Sequence, residues 1–165
     1  MSNSILKLLA VMAMFVMAVS SVSAEHKYTT VIFPFAEKGD HIEDFGKRIS
    51  NELSANLFDS PDVTLVNQDD LQRQLDEAML EISEMVNLTQ ANEIGRITGT
   101  QIVITGTIME SGDSIIIVSR VISTKTSREF IETIRGRKDD AESLMDTMVD
   151  RMADVIKYHA FKLAS

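Results

Sequence analysis

The sequence predicts a single α/β domain, in which one mixed β-sheet carries packed helices in the order β-α-β-α-α-β-β-β-α. Short β-branched runs alternate with longer stretches whose apolar residues recur every three to four positions, as in amphipathic helices. Turns rich in Ser, Gly, Asp and Thr separate the last three strands, which therefore form a meander. A chain of 165 residues is long enough for one hydrophobic core and too short for two large ones.

The amino-terminal segment has the pattern of an export signal. Lys7 precedes an apolar run, and small residues follow at the positions that a signal peptidase recognises. The run is shorter than the roughly 20 residues that span a bilayer. We therefore expect residues 1–24 to be a signal peptide, cleaved between Ala24 and Glu25, and residues 25–165 to form the α/β domain. An uncleaved membrane anchor is the alternative.

Composition limits the partners and the compartment. Acidic side chains outnumber basic ones 25 to 16, for a net charge of −9, and such a surface repels nucleic-acid phosphates. The chain has no cysteine, so it must be stable without disulfides and has no thiol for the acyl chain of a bacterial lipoprotein. We expect a periplasmic protein, peripheral to the outer membrane at most, without an integral membrane span after cleavage.

The first half of the domain predicts a strand–helix–strand unit. Residues 28–35 form a strand that Pro34 ends, because proline has no N–H to donate. Asp40 is the expected cap of a helix over residues 41–58, and residues 63–66 form the parallel partner of the first strand. The inward face of this helix is predicted to consist of Ile42, Phe45, Ile49, Leu53 and Leu57.

Two helices are predicted next. Residues 67–70 supply capping groups for the first, and Asn87 with Gln90 has the spacing of a capping box for the second. The apolar positions assigned to the first helix are Leu71, Leu75, Met79, Ile82 and Met85 or Val86. Those assigned to the second are Ala91, Ile94 and Ile97.

The meander is predicted from three runs. Residues 101–107 are mostly β-branched, and Gly112 in the following turn is free to take a positive φ. Residues 115–118 are all apolar, which predicts a strand covered on both faces. Residues 129–135 mix polar and apolar positions and are the candidate exposed edge strand, with cover by the last helix as the alternative.

The last helix is predicted to begin at Asp139-Asp140. Its apolar stripe consists of Leu144, Met145, Met148, Met152, Val155, Ile156 and Phe161. Methionine at helical spacing fills gaps in a core, and a metal or peptide site is the minor alternative. The carboxylate pairs Asp69-Asp70 and Asp139-Asp140 both stand at helix starts, where capping explains them better than acid–base catalysis.

No catalytic, cofactor-binding or metal-binding constellation is predicted. His26, His41 and His159 form no recognisable ligand pattern, since only generic neighbours such as Glu37 and Asp44 lie near His41, and no serine lies in a G-x-S-x-G elbow. Gly95 and Gly99 precede a strand, whereas a phosphate-binding loop follows one and opens a helix. We therefore expect no enzyme activity and no cofactor.

Several short segments carry a resemblance to a known group: residues 30–35, 65–71, 88–91, 94–95, 98–100, 103–107 and 119–126. In this order they resemble the CsgG-like and FlgO-like group of curli-assembly and flagellar outer-membrane proteins. LpoB-like activators of penicillin-binding proteins and the TolB amino-terminal domain are related to that group. This chain departs from the group at Ser127, where glycine is usual, and near Asn67, where an arginine or similar residue is usual.

The resemblance implies a non-enzymatic envelope protein that works by binding other proteins. The leading expectation is a periplasmic or outer-membrane-associated factor that helps to assemble a flagellum or a curli-like structure. The alternative is an LpoB-like activator or regulator of a peptidoglycan synthase, and an uncharacterised enzyme is a more distant third. Expected partners are envelope or outer-membrane proteins, or further copies of the chain.

Overall fold

The structure is a computed structural model that describes residues 27–40, 42–83 and 85–164, with side chains up to residue 158. Residues 1–24 and the Ala24–Glu25 bond lie outside the described residues, so the export signal stays a prediction. The elements are β1 (Tyr28–Ile32), β2 (Ala36–Lys38), α1 (Phe45–Phe58), β3 (Val63–Leu65), α2 (Gln68–Glu77), α3 (Leu88–Thr98), β4 (Ile102–Ser111), β5 (Ser114–Ser123), β6 (Glu129–Arg137), a 3-10 turn (Lys138–Asp140) and α4 (Ala141–Ala164).

The six strands form one mixed sheet, and the predicted α/β fold class is confirmed. The strand order is β3-β1-β4-β5-β6, and β2 pairs with β4 beyond the end of β1. β1 is parallel to β3 and β4, as expected of right-handed crossover units, and β4, β5 and β6 form the antiparallel meander. Apart from β2 and the 3-10 turn, the order of elements is the predicted one.

The first strand is shorter than predicted, because the chain bulges after Ile32 and resumes pairing as β2. Ile32 lies opposite Ile104, but Ala36 lies opposite Thr107, so three residues on one strand face two on the other. Such a bulge accommodates Pro34, which cannot donate to the ladder. Proline therefore interrupts the pairing here, and the prediction that it ends the strand was incomplete.

Helices cover the sheet unequally. On one side, α1 and α4 pack along its length over a core that includes Ile104, Ile117 and Val121. On the other side, α2 and α3 cover a smaller cluster around Val31, Val103 and Ile122. We refer to these as the α1/α4 side and the α2/α3 side.

The start of α1 differs from its prediction. The helix begins at Phe45, and Asp44 before it has a φ of 64° and makes no side-chain cap. The cap comes from β2, because the Glu37 carboxylate accepts a hydrogen bond of 2.6 Å from the Gly46 N–H. Asp40 is therefore not the cap, since a tertiary contact satisfies the helix terminus. The predicted inward residues Ile42, Ile49, Leu53 and Leu57 are fully buried, and Phe45 is partly buried.

α2 ends earlier than its apolar pattern predicts. Asn67 caps its start, as expected, by accepting from two backbone N–H groups. At the other end Met79 takes a φ of 52°, and the Leu80 N–H donates to the Leu75 carbonyl at 2.9 Å. This is a Schellman termination with Met in the position that glycine usually occupies. Met79 is consequently 90% exposed instead of inward-facing, and Met85 is also exposed.

The remaining local predictions are mostly confirmed. Asn87 and Gln90 form the reciprocal capping box of α3, and Gly112 has a φ of 59° in the β4–β5 turn. On α4, Met145, Met148 and Met152 are buried in the core, which confirms the gap-filling interpretation of the methionine stripe. Phe161 lies in α4 beyond the described side chains.

Candidate functional site

The most distinctive surface is a part of the sheet that the helices leave uncovered. Cross-strand neighbours in a sheet point to the same side, so the pairing register identifies what lies on the α2/α3 side of β4, β5 and β6. Beyond the area packed by α2 and α3, this side presents six residues that we call the open face: Thr107, Met109, Ile116, Val118, Ile131 and Thr133.

The open face is largely apolar, and its residues other than the buried Thr107 are accessible. Met109, Ile116 and Val118 are partly exposed, and Ile131 is 50% exposed. The prediction that residues 115–118 are covered on both faces was therefore wrong for Ile116 and Val118. A contiguous apolar surface of this kind on a folded protein is typical of an interaction site.

The charges around the open face are mostly positive, although the chain as a whole is acidic. Within β2, β4, β5 and β6, the charged residues on this side are Lys38, Arg120, Glu129, Arg135 and Arg137. Glu129 forms an ion pair with Arg120, and Asp139 of the 3-10 turn forms one with Arg137, so Lys38 and Arg135 supply the positive charge in excess. The open face thus has an apolar centre and a basic rim, on a chain whose net charge is −9.

A groove of about 400 Å³ borders the open face at Ala36. It lies between the β1–β2 bulge and the loop that joins α2 to α3. Its lining residues are Phe33, Pro34, Phe35, Ala36, Glu37, Ser83 and Val86. The one carboxylate in that lining, Glu37, is engaged at the start of α1. The groove therefore extends the apolar surface and brings no pair of reactive groups together.

The candidate edge strand lies where it was predicted. β6 lies at the end of the sheet, as the edge interpretation predicted. Its α1/α4 side is covered by α4, as the alternative predicted. Glu132 makes an ion pair with Arg151 of α4, and Leu144 packs over Gly136.

Reactive groups do not converge in the part of the chain that the structure describes. Residues 26 and 41 lie outside it, and so does the side chain of His159 in α4. No group of three or more His, Asp or Glu side chains within it is arranged to hold a metal. Asp69 and Asp70 lie in the first turn of α2, and Asp139 and Asp140 in the 3-10 turn before α4, as expected of residues at helix starts. None of the helices in the described ranges is long and apolar enough to cross a membrane.

Comparisons with known proteins identify similar folds. Neither a protein-family model nor a curated protein matches the chain. The LpoB C-terminal domain from Salmonella enterica superposes with a TM-score of 0.54 at 13% identity, covering 68% of this chain and 84% of that one. The LpoB C-terminal domain from Escherichia coli gives 0.56 at 11%, covering 76% and 94%.

TolB from Acinetobacter baumannii has a TM-score of 0.52 at 12% identity, and the match covers 81% of this chain but 29% of TolB. At such identities the similarity concerns the fold alone. The chain therefore has the fold of the LpoB C-terminal domain and of part of TolB, whereas the resemblance to the CsgG-like and FlgO-like group stays a prediction.

Proposed function

We propose that this protein is a non-enzymatic accessory factor of the bacterial cell envelope, exported to the periplasm, that binds a protein partner through its open face. The observation that carries the proposal is the open face itself, an accessible apolar surface with a basic rim on an acidic chain. A partner with an apolar patch and an acidic surround would complement it in both respects.

Binding explains this surface better than catalysis does. An active site needs a nucleophile or an acid–base pair within reach of a substrate in a concave pocket. The groove beside the open face supplies apolar side chains and one engaged carboxylate, Glu37. Exposed apolar surface on a rigid sheet can instead be covered by a partner without rearrangement of the backbone.

Between the two kinds of accessory factor, we favour an activator of a peptidoglycan synthase over an assembly factor for a flagellum or curli-like structure. The sequence resemblance favoured the assembly factor. The similarity of fold supports the activator, because the match covers nearly the whole LpoB C-terminal domain. Export with cleavage between Ala24 and Glu25 would bring the protein to the compartment where such synthases act.

The test uses the protein expressed with its own amino-terminal segment and purified from the periplasm. We expect it to bind a purified penicillin-binding protein from the same cells and to raise the rate of glycan-strand synthesis or cross-linking. Met109→Glu places a charge in the apolar centre, where Met109 is partly exposed, so the fold should survive while binding is lost. Phe58→Glu is the matched control, because Phe58 is 76% exposed at the end of α1, away from the open face.

Binding that is lost in Met109→Glu and kept in Phe58→Glu would support the proposal. Recovery of flagellar or curli components instead of a synthase would favour the assembly role at the same surface. Equal binding by both variants would show that the open face is not the site.

A further inference from the structure

We infer that β6 pairs with β6 of a second copy of this chain, so that two molecules form one continuous sheet about a two-fold axis at Thr133. β6 is nine residues long and pairs with β5 along one edge, and no described strand pairs with its other edge. The opposite end of the sheet is β3, with three residues. Self-pairing of the long edge gives a closed dimer, whereas pairing of β6 with β3 would propagate into a filament.

The charges of β6 are arranged for antiparallel self-pairing. Its acidic residues, Glu129 and Glu132, lie in the first half, and its basic residues, Arg135 and Arg137, lie in the second half. An antiparallel neighbour of the same sequence therefore brings the acidic half of each strand against the basic half of the other. Opposite charges directly across a strand pair stabilise it.

The register follows from comparing the alternatives that keep the two open faces on the same side. With Thr133 on the axis, Glu129 lies opposite Arg137 of the partner subunit, and this pair occurs twice. With Glu132 on the axis, two carboxylates of the same residue face each other. With Ile134 on the axis, no acidic residue of β6 lies opposite a basic one. Among the residues of β6 itself, only the first of these three registers forms ion pairs without placing like charges opposite each other.

The same register covers apolar surface that a single copy leaves accessible. Phe130 lies opposite Gly136 of the partner subunit. In each copy the Leu144 side chain packs over Gly136, so closely that a Cβ on this glycine would lie 2.7 Å from it. Phe130 and Leu144 are each only partly buried in one copy, so the pairing brings two incompletely covered side chains together. On the open side, Ile131 is 50% exposed and lies opposite Arg135 of the partner subunit, whose aliphatic stem can cover it.

Charged residues on an edge strand can also serve to prevent pairing. Glu129 and Glu132 already contact Arg120 and Arg151 of their own chain. Under that explanation the protein is a monomer at every concentration. The two explanations therefore predict different masses in solution.

The absence of cysteine makes single-cysteine variants a direct test of the register. In the periplasm, Thr133→Cys should form a disulfide-linked dimer, because the two copies of this residue face each other on the axis. Ile131→Cys is the matched control on the same strand, since in this register its two copies lie four residues apart along the strand. Thr64→Cys is the control on the other sheet edge, where Thr64 is exposed in β3.

A cross-linked dimer that is abundant in Thr133→Cys and scarce in both controls would establish the register. A sheet joined with its faces reversed would put the two introduced thiols of Thr133→Cys on opposite sides, so absence of that dimer would overturn the proposal. Equal cross-linking in all three variants would also overturn it, because random collision would then account for the products.

Sedimentation equilibrium of the cysteine-free protein provides the second measurement. We expect a dimer whose Kd rises about tenfold in Arg137→Glu, since two ion pairs are replaced by two like-charge pairs. Glu129→Arg combined with Arg137→Glu should return the Kd to within about threefold of its original value. A monomer throughout, or a double variant no tighter than the single one, would contradict the pairing.

Discussion

Gly106 lies where the β1–β2 bulge packs onto the sheet, and its replacement by alanine should be costly. A Cβ on Gly106 would overlap the Phe35 ring and would lie 2.5 Å from the Val118 carbonyl oxygen. Phe35 is buried in the core, so its ring has little room to move aside. Inserting a methyl group into a filled core costs about 1–3 kcal/mol. At roughly 3–4 °C per kcal/mol for a domain of this size, Tm should fall by about 3–12 °C.

A double-mutant cycle tests the cause of this loss. Phe35→Leu removes the ring edge that the new methyl group meets, so the double variant Gly106→Ala/Phe35→Leu should be more stable than the sum of the single effects by about 1 kcal/mol. Urea unfolding measured by circular dichroism gives the four free energies of unfolding. Part of the Gly106→Ala cost should remain, because the Val118 carbonyl belongs to the backbone and cannot be truncated.

Gly99 provides the matched control for this cycle. Gly99 has a φ of 72° and nothing lies within 4 Å of its added Cβ, so Gly99→Ala should cost about 1 kcal/mol through backbone strain alone. Its effect should add to that of Phe35→Leu within about 0.5 kcal/mol. A Gly106→Ala protein as stable as the original, or strict additivity with Phe35→Leu, would refute the packing argument.

Three further changes test the helix termini. Met79→Gly should stabilise the protein by about 0.5–1 kcal/mol in thermal unfolding, because the left-handed conformation of Met79 costs more than the added chain entropy of glycine; a lower Tm would contradict this. Asn87→Ala should lower the free energy of unfolding by about 1 kcal/mol through loss of the α3 capping box, with no change in the denaturant dependence. The hydrogen bonds from Arg96 hold the pKa of the Glu93 carboxyl below its usual value. The contact therefore stabilises the folded protein at pH values above the pKa that Glu93 has in the unfolded chain, and this stabilisation is lost as pH falls through the pKa in the folded protein. In Arg96→Gln, NMR titration should show the Glu93 pKa moving up toward its ordinary value, and an unchanged titration would exclude the contact.

Features that depend on neighbouring residues in the sequence could be predicted. The Asn87–Gln90 capping box and the Gly112 turn need only local spacing and backbone freedom, and both are present. The start of α1 could not be predicted in this way, because its cap comes from Glu37 on a strand that the sequence did not indicate. The end of α2 was missed because methionine stands at Met79, where a glycine would have signalled the termination.

The open face was missed for a different physical reason. An all-apolar run such as residues 115–118 is equally consistent with cover on both sides or on one side. Which applies depends on how far α2 and α3 reach across the sheet, and the cluster under these helices includes Val31, Val103 and Ile122 but none of the residues of the open face. The mixture of polar and apolar residues in β6 was the available signal, because it predicts a less covered strand near an edge, and Ile131 and Thr133 of that strand are exposed.

The open face and the β6 edge are adjacent, so their roles must be separated by residues that belong to one of them. Met109 lies on β4, two strands away from the edge, and Arg137 lies at the end of β6. Met109→Glu should therefore abolish partner binding and leave the dimer Kd unchanged. Arg137→Glu changes the basic rim of the open face as well as the β6 edge, so it should raise the dimer Kd about tenfold and also weaken partner binding. In the dimer the two open faces would lie side by side on one sheet, and each copy would hold one partner molecule. Light scattering above the dimer Kd should show a two-to-two complex in the original protein and a dimer without partner in Met109→Glu, which would show that dimerisation does not depend on the open face. Loss of both properties in Met109→Glu would show that the two surfaces form one site.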